Sequence, residues 1–127
     1  MGYTHYWRPV KASTDVWDIL KEEITLLVSH KDIDPESVVI QDDLIVFNGH
    51  EAYEDFYYKN ESGFGFCKTA RKPYNFVVVA VLAVLAEHTI SAITSDGYTD
   101  EWEFGAQYAS KILGRNIPIP PGIEDRT

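Results

Sequence analysis

The sequence predicts an α/β or α+β domain in which a single-layer mixed β-sheet is covered by about three helices. Segments rich in β-branched and aromatic residues alternate along the chain with segments whose apolar residues recur at helical spacing. The predicted order of elements is β-α-β-β-β-α-β-α. With 127 residues, 45% of them hydrophobic, the chain has the length and composition of one globular domain. We expect that domain over residues 1–116 and an extended, proline-rich tail over residues 117–127.

The first half of the chain is expected to form a strand, a helix and then a hairpin or a single strand. In residues 2–9, GYTHYWRP, Tyr3, His5 and Trp7 alternate with Thr4 and Tyr6 up to Pro9, and this period of two indicates a strand. Residues 13–30 repeat apolar side chains at helical spacing, and Ser13, Thr14 or Asp15 is available as the cap. Residues 37–49, SVVIQDDLIVFNG, carry two aspartates between β-branched runs, which fits either a tight hairpin or one bulged strand.

The second half predicts two strands, a buried helix, a short strand and a surface helix. Residues 51–69 place aromatic segments on both sides of the turn sequence KNESG. The apolar run that follows Pro73 predicts a helix buried on most sides, with the proline in its first turn. Residues 89–97 predict a strand and a turn. In the last helix, Asp100 and Glu103 have the spacing of a capping box, and Gly114 fits its end.

Composition limits the classes of partner. A formal net charge of −9 disfavours nonspecific binding to duplex nucleic acid, which depends on many contacts between cations and phosphates. The longest apolar run, residues 76–86, is about half of the roughly 20 residues that a membrane span needs, so no membrane partner is expected. The N-terminus has no signal-peptide pattern, and the single cysteine favours a reducing compartment, so we expect a cytoplasmic protein. Cys67 is expected to be a buried, inert thiol.

Residues 66–75, FCKTARKPYN, gather three of the eleven basic residues within five positions. If a strand ends near Cys67 and a helix begins at Pro73, then Lys68, Thr69 and Arg71 lie at a helix N-terminus. Free backbone N–H groups and the helix dipole favour anions there. The sequence therefore predicts a binding corner for a small anion. The alternative is that these cations only balance nearby acidic residues.

Other candidate site residues lie in two further segments. His5 could act as a general acid or base, or as a neutral hydrogen-bonding group, although a histidine fully satisfied within the fold is the alternative. Tyr3 could contact a ligand or belong to the core. Ser95 and Asp96 follow a predicted strand, where α/β sheets often bind ligands, but Asp96-Gly97 is also an ordinary turn. The four histidines lack the spacing of metal ligands, and no nucleotide-binding glycine motif occurs, so no metal and no cofactor are expected.

Four segments together resemble an uncharacterised family of small proteins from bacteria, bacteriophages and some large viruses. These are GYTHYW at residues 2–7, FNG at 47–49, FCKTARKPYN at 66–75 and SDG at 95–97. Members of that family carry aspartate where this chain has Asn75, so an acid or base role does not transfer to that position. The resemblance implies that the residues of these four segments are important for function. If the protein comes from a phage, the distribution of the family would be compatible with a protein that sequesters a signalling nucleotide of the host.

Three hypotheses of function follow, and the sequence leaves them open. The first is a binding protein for a phosphorylated or nucleotide-like anion, held by Lys68, Thr69 and Arg71. The second is a protein-interaction or homo-oligomeric module that uses exposed aromatic residues and the tail. The third is a hydrolase or transferase for a phosphorylated small molecule, with His5 and Asp96 as candidate catalytic residues.

Overall fold

A computed structural model describes residues 3–126; Gly2 of the first motif segment lies outside this range. The described chain forms six strands and three α-helices. The strands are β1 (Thr4–Pro9), β2 (Val39–Ile40), β3 (Leu44–Phe47), β4 (Phe56–Lys59), β5 (Gly65–Lys68) and β6 (Ile90–Ser95). The helices are α1 (Thr14–Leu27), α2 (Asn75–Ala86) and α3 (Thr99–Leu113). The predicted class and order of elements are confirmed.

The strands form two antiparallel three-stranded sheets in place of one mixed sheet. One sheet has the order β5-β1-β6 and the other the order β2-β3-β4. Residues 37–49 adopt the hairpin alternative, which adds one strand to the predicted order. The turn sequence KNESG does not close a hairpin, because β4 pairs with β3 and β5 pairs with β1. Residues 60–64 therefore carry the chain from one sheet to the other.

Helix α2 is the centre of the core. All nine residues from 77 to 85 are buried, as expected for an apolar run with no polar face. The first sheet contributes Trp7, which stacks with Tyr58 at 6.1 Å between ring centroids, and Tyr58 stacks in turn with Trp17 of α1 at 6.2 Å. The two sheets and α1 are thus joined through large aromatic side chains.

The predicted start of α1 is confirmed, whereas the predicted starts of α2 and α3 need correction. The Ser13 hydroxyl accepts a hydrogen bond from the Val16 N–H at 3.3 Å, which confirms the predicted cap of α1. Helix α2 begins at Asn75, two residues later than predicted. The predicted capping box in α3 is wrong, because this helix begins at Thr99, and the Glu101 carboxylate accepts the Tyr98 N–H at 3.3 Å. The earlier start makes Glu101 the third residue of the helix, where its carboxylate can reach the Tyr98 N–H and is favoured by the helix dipole.

The tail packs on the domain. Side chains of Ile117, Pro120 and Ile123 are buried, and the Thr99 N–H donates to the Glu124 carbonyl at 2.9 Å. Apolar contacts and a backbone hydrogen bond therefore hold the tail beside the start of α3. Within residues 3–126, no helix has both the length and the apolar character needed to cross a membrane.

Close packing of α2 and α3 yields a first prediction. A Cβ on Gly105 would lie 2.5 Å from Val79 Cγ1 and 2.8 Å from the Phe76 carbonyl oxygen. Overpacking costs about 1–3 kcal/mol, and contacts this short that include a backbone atom belong to the upper part of that range, against a gain of about 1 kcal/mol in helix propensity. We expect Gly105→Ala to lower the free energy of unfolding in urea by about 1–2 kcal/mol. Gln107→Ala, on the exposed side of α3, is the control; equal stability of the two variants would contradict the prediction.

Candidate functional site

The four motif segments meet in space. Strand β1 lies between β5 and β6, so that His5 is opposite both Cys67 and Ser95. The FNG segment reaches the same region, because Gly49 packs on the Tyr74 side chain so closely that a Cβ would lie 2.7 Å from it. These segments therefore form one region, with a buried layer on one side of the first sheet and an exposed face on the other.

His5 is the centre of the buried layer. Its Nδ1 lies 2.7 Å from the Ser95 hydroxyl, and its Nε2 lies 2.8 Å from Asn75 Oδ1. Asn75 Oδ1 also accepts a hydrogen bond from the Thr69 hydroxyl at 2.7 Å. Since that oxygen can only accept, His5 donates from Nε2 and accepts from Ser95 at Nδ1. The Ser95 oxygen accepts the Gly97 N–H at 2.9 Å, which completes a network suited to a neutral imidazole.

Burial decides the protonation state of His5. Loss of hydration lowers the pKa of His5 to about 4, despite the opposing effects of the Asn75 hydrogen bond and the Asp96 and Glu101 carboxylates. The side chain is fully buried, as is that of Thr69. Their side chains form hydrogen bonds with each other's neighbours inside the protein and have no exposed surface, so neither is available to contact a ligand in this conformation.

Arg71 lies apart from this network. Its guanidinium is 4.0 Å from the centroid of the Tyr3 ring and donates to Glu101 Oε1 at 2.9 Å. The Tyr3 hydroxyl donates to the other oxygen of Glu101 at 3.2 Å, and burial together with this carboxylate raises the pKa of Tyr3 to about 12. Arg126 also donates to Glu101 Oε1, at 3.1 Å. Arg71 is therefore neutralised by a residue 30 positions further along the chain, which sequence patterns did not indicate.

Ala70 and Arg71 both adopt left-handed backbone conformations, with φ values of 50° and 56°. Two successive non-glycine residues in this region are unusual. The Ala70 and Thr69 N–H groups donate to the Tyr3 carbonyl, at 3.4 Å and 3.1 Å. This turn places Arg71 beside the first turn of α3, where its guanidinium reaches Glu101.

The opposite side of the β5-β1-β6 sheet is exposed. Successive side chains of a strand alternate between faces, so Tyr6 and Phe66, which are paired across β1 and β5, both point outward. Phe64, just before β5, lies beside them: its ring centroid is 6.4 Å from that of Tyr6 and 6.2 Å from that of Phe66. The exposed fraction is 36% for Tyr6, 57% for Phe64 and 55% for Phe66. We call Tyr6, Phe64 and Phe66 the aromatic face.

Cations without a carboxylate partner in residues 3–126 surround the aromatic face. The chain has four arginines, and Arg71, Arg115 and Arg126 form salt bridges. Arg8 forms none with any described residue, and its guanidinium lies 5.5 Å from the centroid of the Phe64 ring. Within the same range, Lys59 and Lys68 also lack a carboxylate partner. Sequence reasoning missed Arg8, Phe64 and Lys59, although the alternation of GYTHYWRP and GFGFCK was a signal for an aromatic face.

Two hollows flank Phe64. The larger, of about 490 Å³, is lined by Tyr57, Lys59 and Phe66 among others, and the smaller, of about 270 Å³, by Tyr6 and Arg8. Trp7 belongs to the lining of both. Gly65, which also lines the larger hollow, packs directly on the Trp7 indole, because a Cβ there would overlap with the indole nitrogen.

The predicted site residues thus fall into three groups. Lys68 and Asp96 lie on the exposed side of the sheet, where one Asp96 oxygen accepts the Thr4 N–H at 3.0 Å. Arg71 is paired with Glu101. The remaining residues belong to the layer behind the sheet: Tyr3, His5, Thr69 and Ser95. Residues 3–126 contain no group of three or more histidine, cysteine, aspartate or glutamate side chains placed to hold a metal ion.

Cys67 is buried, and burial raises the pKa of its thiol to about 12, which is consistent with an inert thiol.

Comparisons with known proteins do not assign a family. The sequence matches no protein-family model, and no curated protein or solved structure is significantly similar to it. The family resemblance stays a prediction, and the assignment of function rests on the geometry of the chain.

Proposed function

We propose that the protein binds a small phosphorylated, nucleotide-like molecule on the aromatic face. The observation that carries this proposal is the position of Arg8. It is an arginine without a carboxylate partner among the described residues of a strongly acidic protein, and it lies beside exposed aromatic rings. A guanidinium can hold a phosphate with two parallel hydrogen bonds, while the rings offer flat surfaces to a base.

Stacking supplies the part of the affinity that does not depend on charge. A base stacked on an aromatic side chain contributes about 1–3 kcal/mol. Tyr6 and Phe66 are paired on adjacent strands, so the backbone already holds the two side chains next to each other before a ligand binds. Little conformational entropy is then lost on binding, which favours affinity for a small ligand.

The size of the ligand is limited by charge. Polynucleotides gain most of their affinity from many phosphate contacts, and a protein of charge −9 repels them at long range. Arg8, Lys59 and Lys68, which have no carboxylate partner in residues 3–126, surround the aromatic face. That number of cations suits a ligand with one to a few phosphates and does not suit a long strand.

The buried layer positions this face. The His5 network ties β1 to the start of α2 and the end of β6, through Asn75 and Ser95. Acid–base chemistry is not part of the proposal, because His5 is fully buried on the side of the sheet opposite to the aromatic face. A protein interface could use the same exposed rings, and the response of binding to single substitutions distinguishes it from a nucleotide site.

Calorimetric titration with AMP, GMP, CMP and UMP tests the proposal. We expect at least one to bind, Arg8→Ala to weaken it about tenfold or more, and Tyr6→Ala to weaken it similarly. Arg71→Ala is the matched control, since it removes the same side chain from a position paired with Glu101, and we expect a change of less than about twofold.

Three results would overturn the proposal. A loss of binding in Arg71→Ala but not in Arg8→Ala would place the ligand at the corner predicted from FCKTARKPYN. Absence of binding by all four nucleotides, together with association in sedimentation that Phe64→Ser abolishes, would assign the aromatic face to a protein interface. An eight-residue single-stranded RNA that binds far more tightly than any mononucleotide, with a steep salt dependence, would indicate a polynucleotide ligand.

A further inference from the structure

The same pair of groups occurs on both sides of Phe64. Tyr6 and Arg8 line the smaller hollow together with Phe64. Tyr57, Phe66 and Lys59 line the larger hollow, together with Glu61. Each hollow thus has aromatic side chains and one cation in its lining, a combination that can recognise a base and a phosphate, and Glu61 adds one carboxylate to the larger hollow.

We propose that the ligand carries two nucleotide units, one in each hollow, joined by a phosphodiester across Phe64. This inference rests on the proposed function and specifies the ligand class of the same site. A single nucleotide would leave one hollow, its exposed rings and its cation unused. The exposed fraction of Tyr57 is 54%, similar to that of Phe64 and Phe66, so its ring is available to the ligand as well.

The spacing of the rings suits two linked nucleotides. Stacked bases of one strand are about 3.4 Å apart, so two bases separated by an inserted ring are about 7 Å apart. A base that lies between two protein rings needs a similar distance between those rings. The Phe64 centroid lies 6.4 Å from that of Tyr6 and 6.2 Å from that of Phe66, close to this value. Apolar side chains are known to insert between adjacent bases in this way. Phe64 would then act as a wedge that holds the two bases apart.

Three cations near the aromatic face are available for the phosphates. Arg8 and Lys59 line opposite hollows, and Lys68 lies at the end of β5 beyond Phe66. A dinucleotide with a 5′-phosphate carries a phosphodiester and a terminal phosphate. Its charge can therefore be matched without any contribution from Arg71.

Calorimetry with AMP and with its linear dinucleotide pApA, and likewise with GMP and pGpG, tests this inference. We expect one dinucleotide per chain, bound at least tenfold more tightly than the mononucleotide, which should fill both hollows at two per chain. Lys59→Ala and Tyr57→Ala should reduce dinucleotide affinity tenfold or more and reduce mononucleotide stoichiometry to one. Lys11→Ala, an exposed lysine outside both hollows, is the control and should leave both ligands unchanged.

The outcomes separate this inference from the proposed function. Mononucleotide binding at one per chain, with a dinucleotide no tighter, overturns the inference and leaves the proposed function intact. Dinucleotide binding that is insensitive to Lys59→Ala and Tyr57→Ala also overturns it. If neither mononucleotides nor dinucleotides bind, both proposals fall.

Discussion

Acidification from pH 7 to pH 4 is expected to destabilise the native state by about 3 kcal/mol through His5 alone. The pKa of this imidazole is about 4 in the folded protein, against 6.5 for an exposed histidine. As the pH falls below 6.5, the unfolded chain therefore takes up a proton that the native state does not. The stabilisation is complete well above pH 6.5 and is lost progressively towards pH 4, because the folded-state pKa is the lower of the two.

Urea unfolding between pH 4 and pH 8 measures this effect. The variant His5→Gln keeps an N–H donor near Asn75 but cannot titrate, so its stability should depend less on pH than that of the wild type. Carboxylates whose pKa is lowered by arginine partners, such as Glu101, contribute equally to both proteins and cancel in the comparison. His50→Gln, at an exposed site, should retain the pH dependence of the wild type. Parallel curves for wild type and His5→Gln would refute the assignment of a neutral, buried His5.

Much of the fold could be predicted because it depends on local patterns. The spacing of apolar residues specified α1, and the unbroken apolar run specified α2 as a core helix. The pairing of strands depends on contacts between distant segments, so the sequence did not indicate that β1 would lie between β5 and β6. For the same reason, the hairpin of residues 37–49 and the division into two sheets could not be chosen from local signals alone.

The candidate site shows the same limit. Clustering of charge in FCKTARKPYN drew attention to Arg71, whose pairing with Glu101 is set by the packing of α3. Arg8 has no other basic residue directly beside it in the sequence, so no cluster of charge marked it as a candidate. What distinguishes it is the lack of a carboxylate partner among the described residues and the proximity of Phe64, 56 residues away. Exposure and charge pairing, which local patterns do not determine, therefore separate the two arginines.

Replacing the side-chain amide of Asn75 by a carboxylate is expected to reverse the pH dependence of stability. Asn75→Asp would place a carboxylate oxygen where Oδ1 now lies, 2.8 Å from His5 Nε2. An opposite charge at this distance favours the imidazolium, so we expect the pKa of His5 to rise above its ordinary value of about 6.5. The native state would then bind a proton more tightly than the unfolded chain. Stability would increase as the pH falls through that range, which is the opposite of the wild type.

The size of the effect follows from the burial of the new charge. At about pH 8 His5 is neutral, and a carboxylate held only by the Thr69 hydroxyl and the imidazole N–H should cost roughly 2–4 kcal/mol. Protonation of His5 creates a buried ion pair, so the deficit relative to the wild type should shrink towards about pH 5. The double variant His5→Gln/Asn75→Asp keeps the carboxylate without a partner that can become charged, and it should show no recovery on acidification. Recovery in the double variant would mean that protonation of the new carboxylate, and not of His5, controls stability.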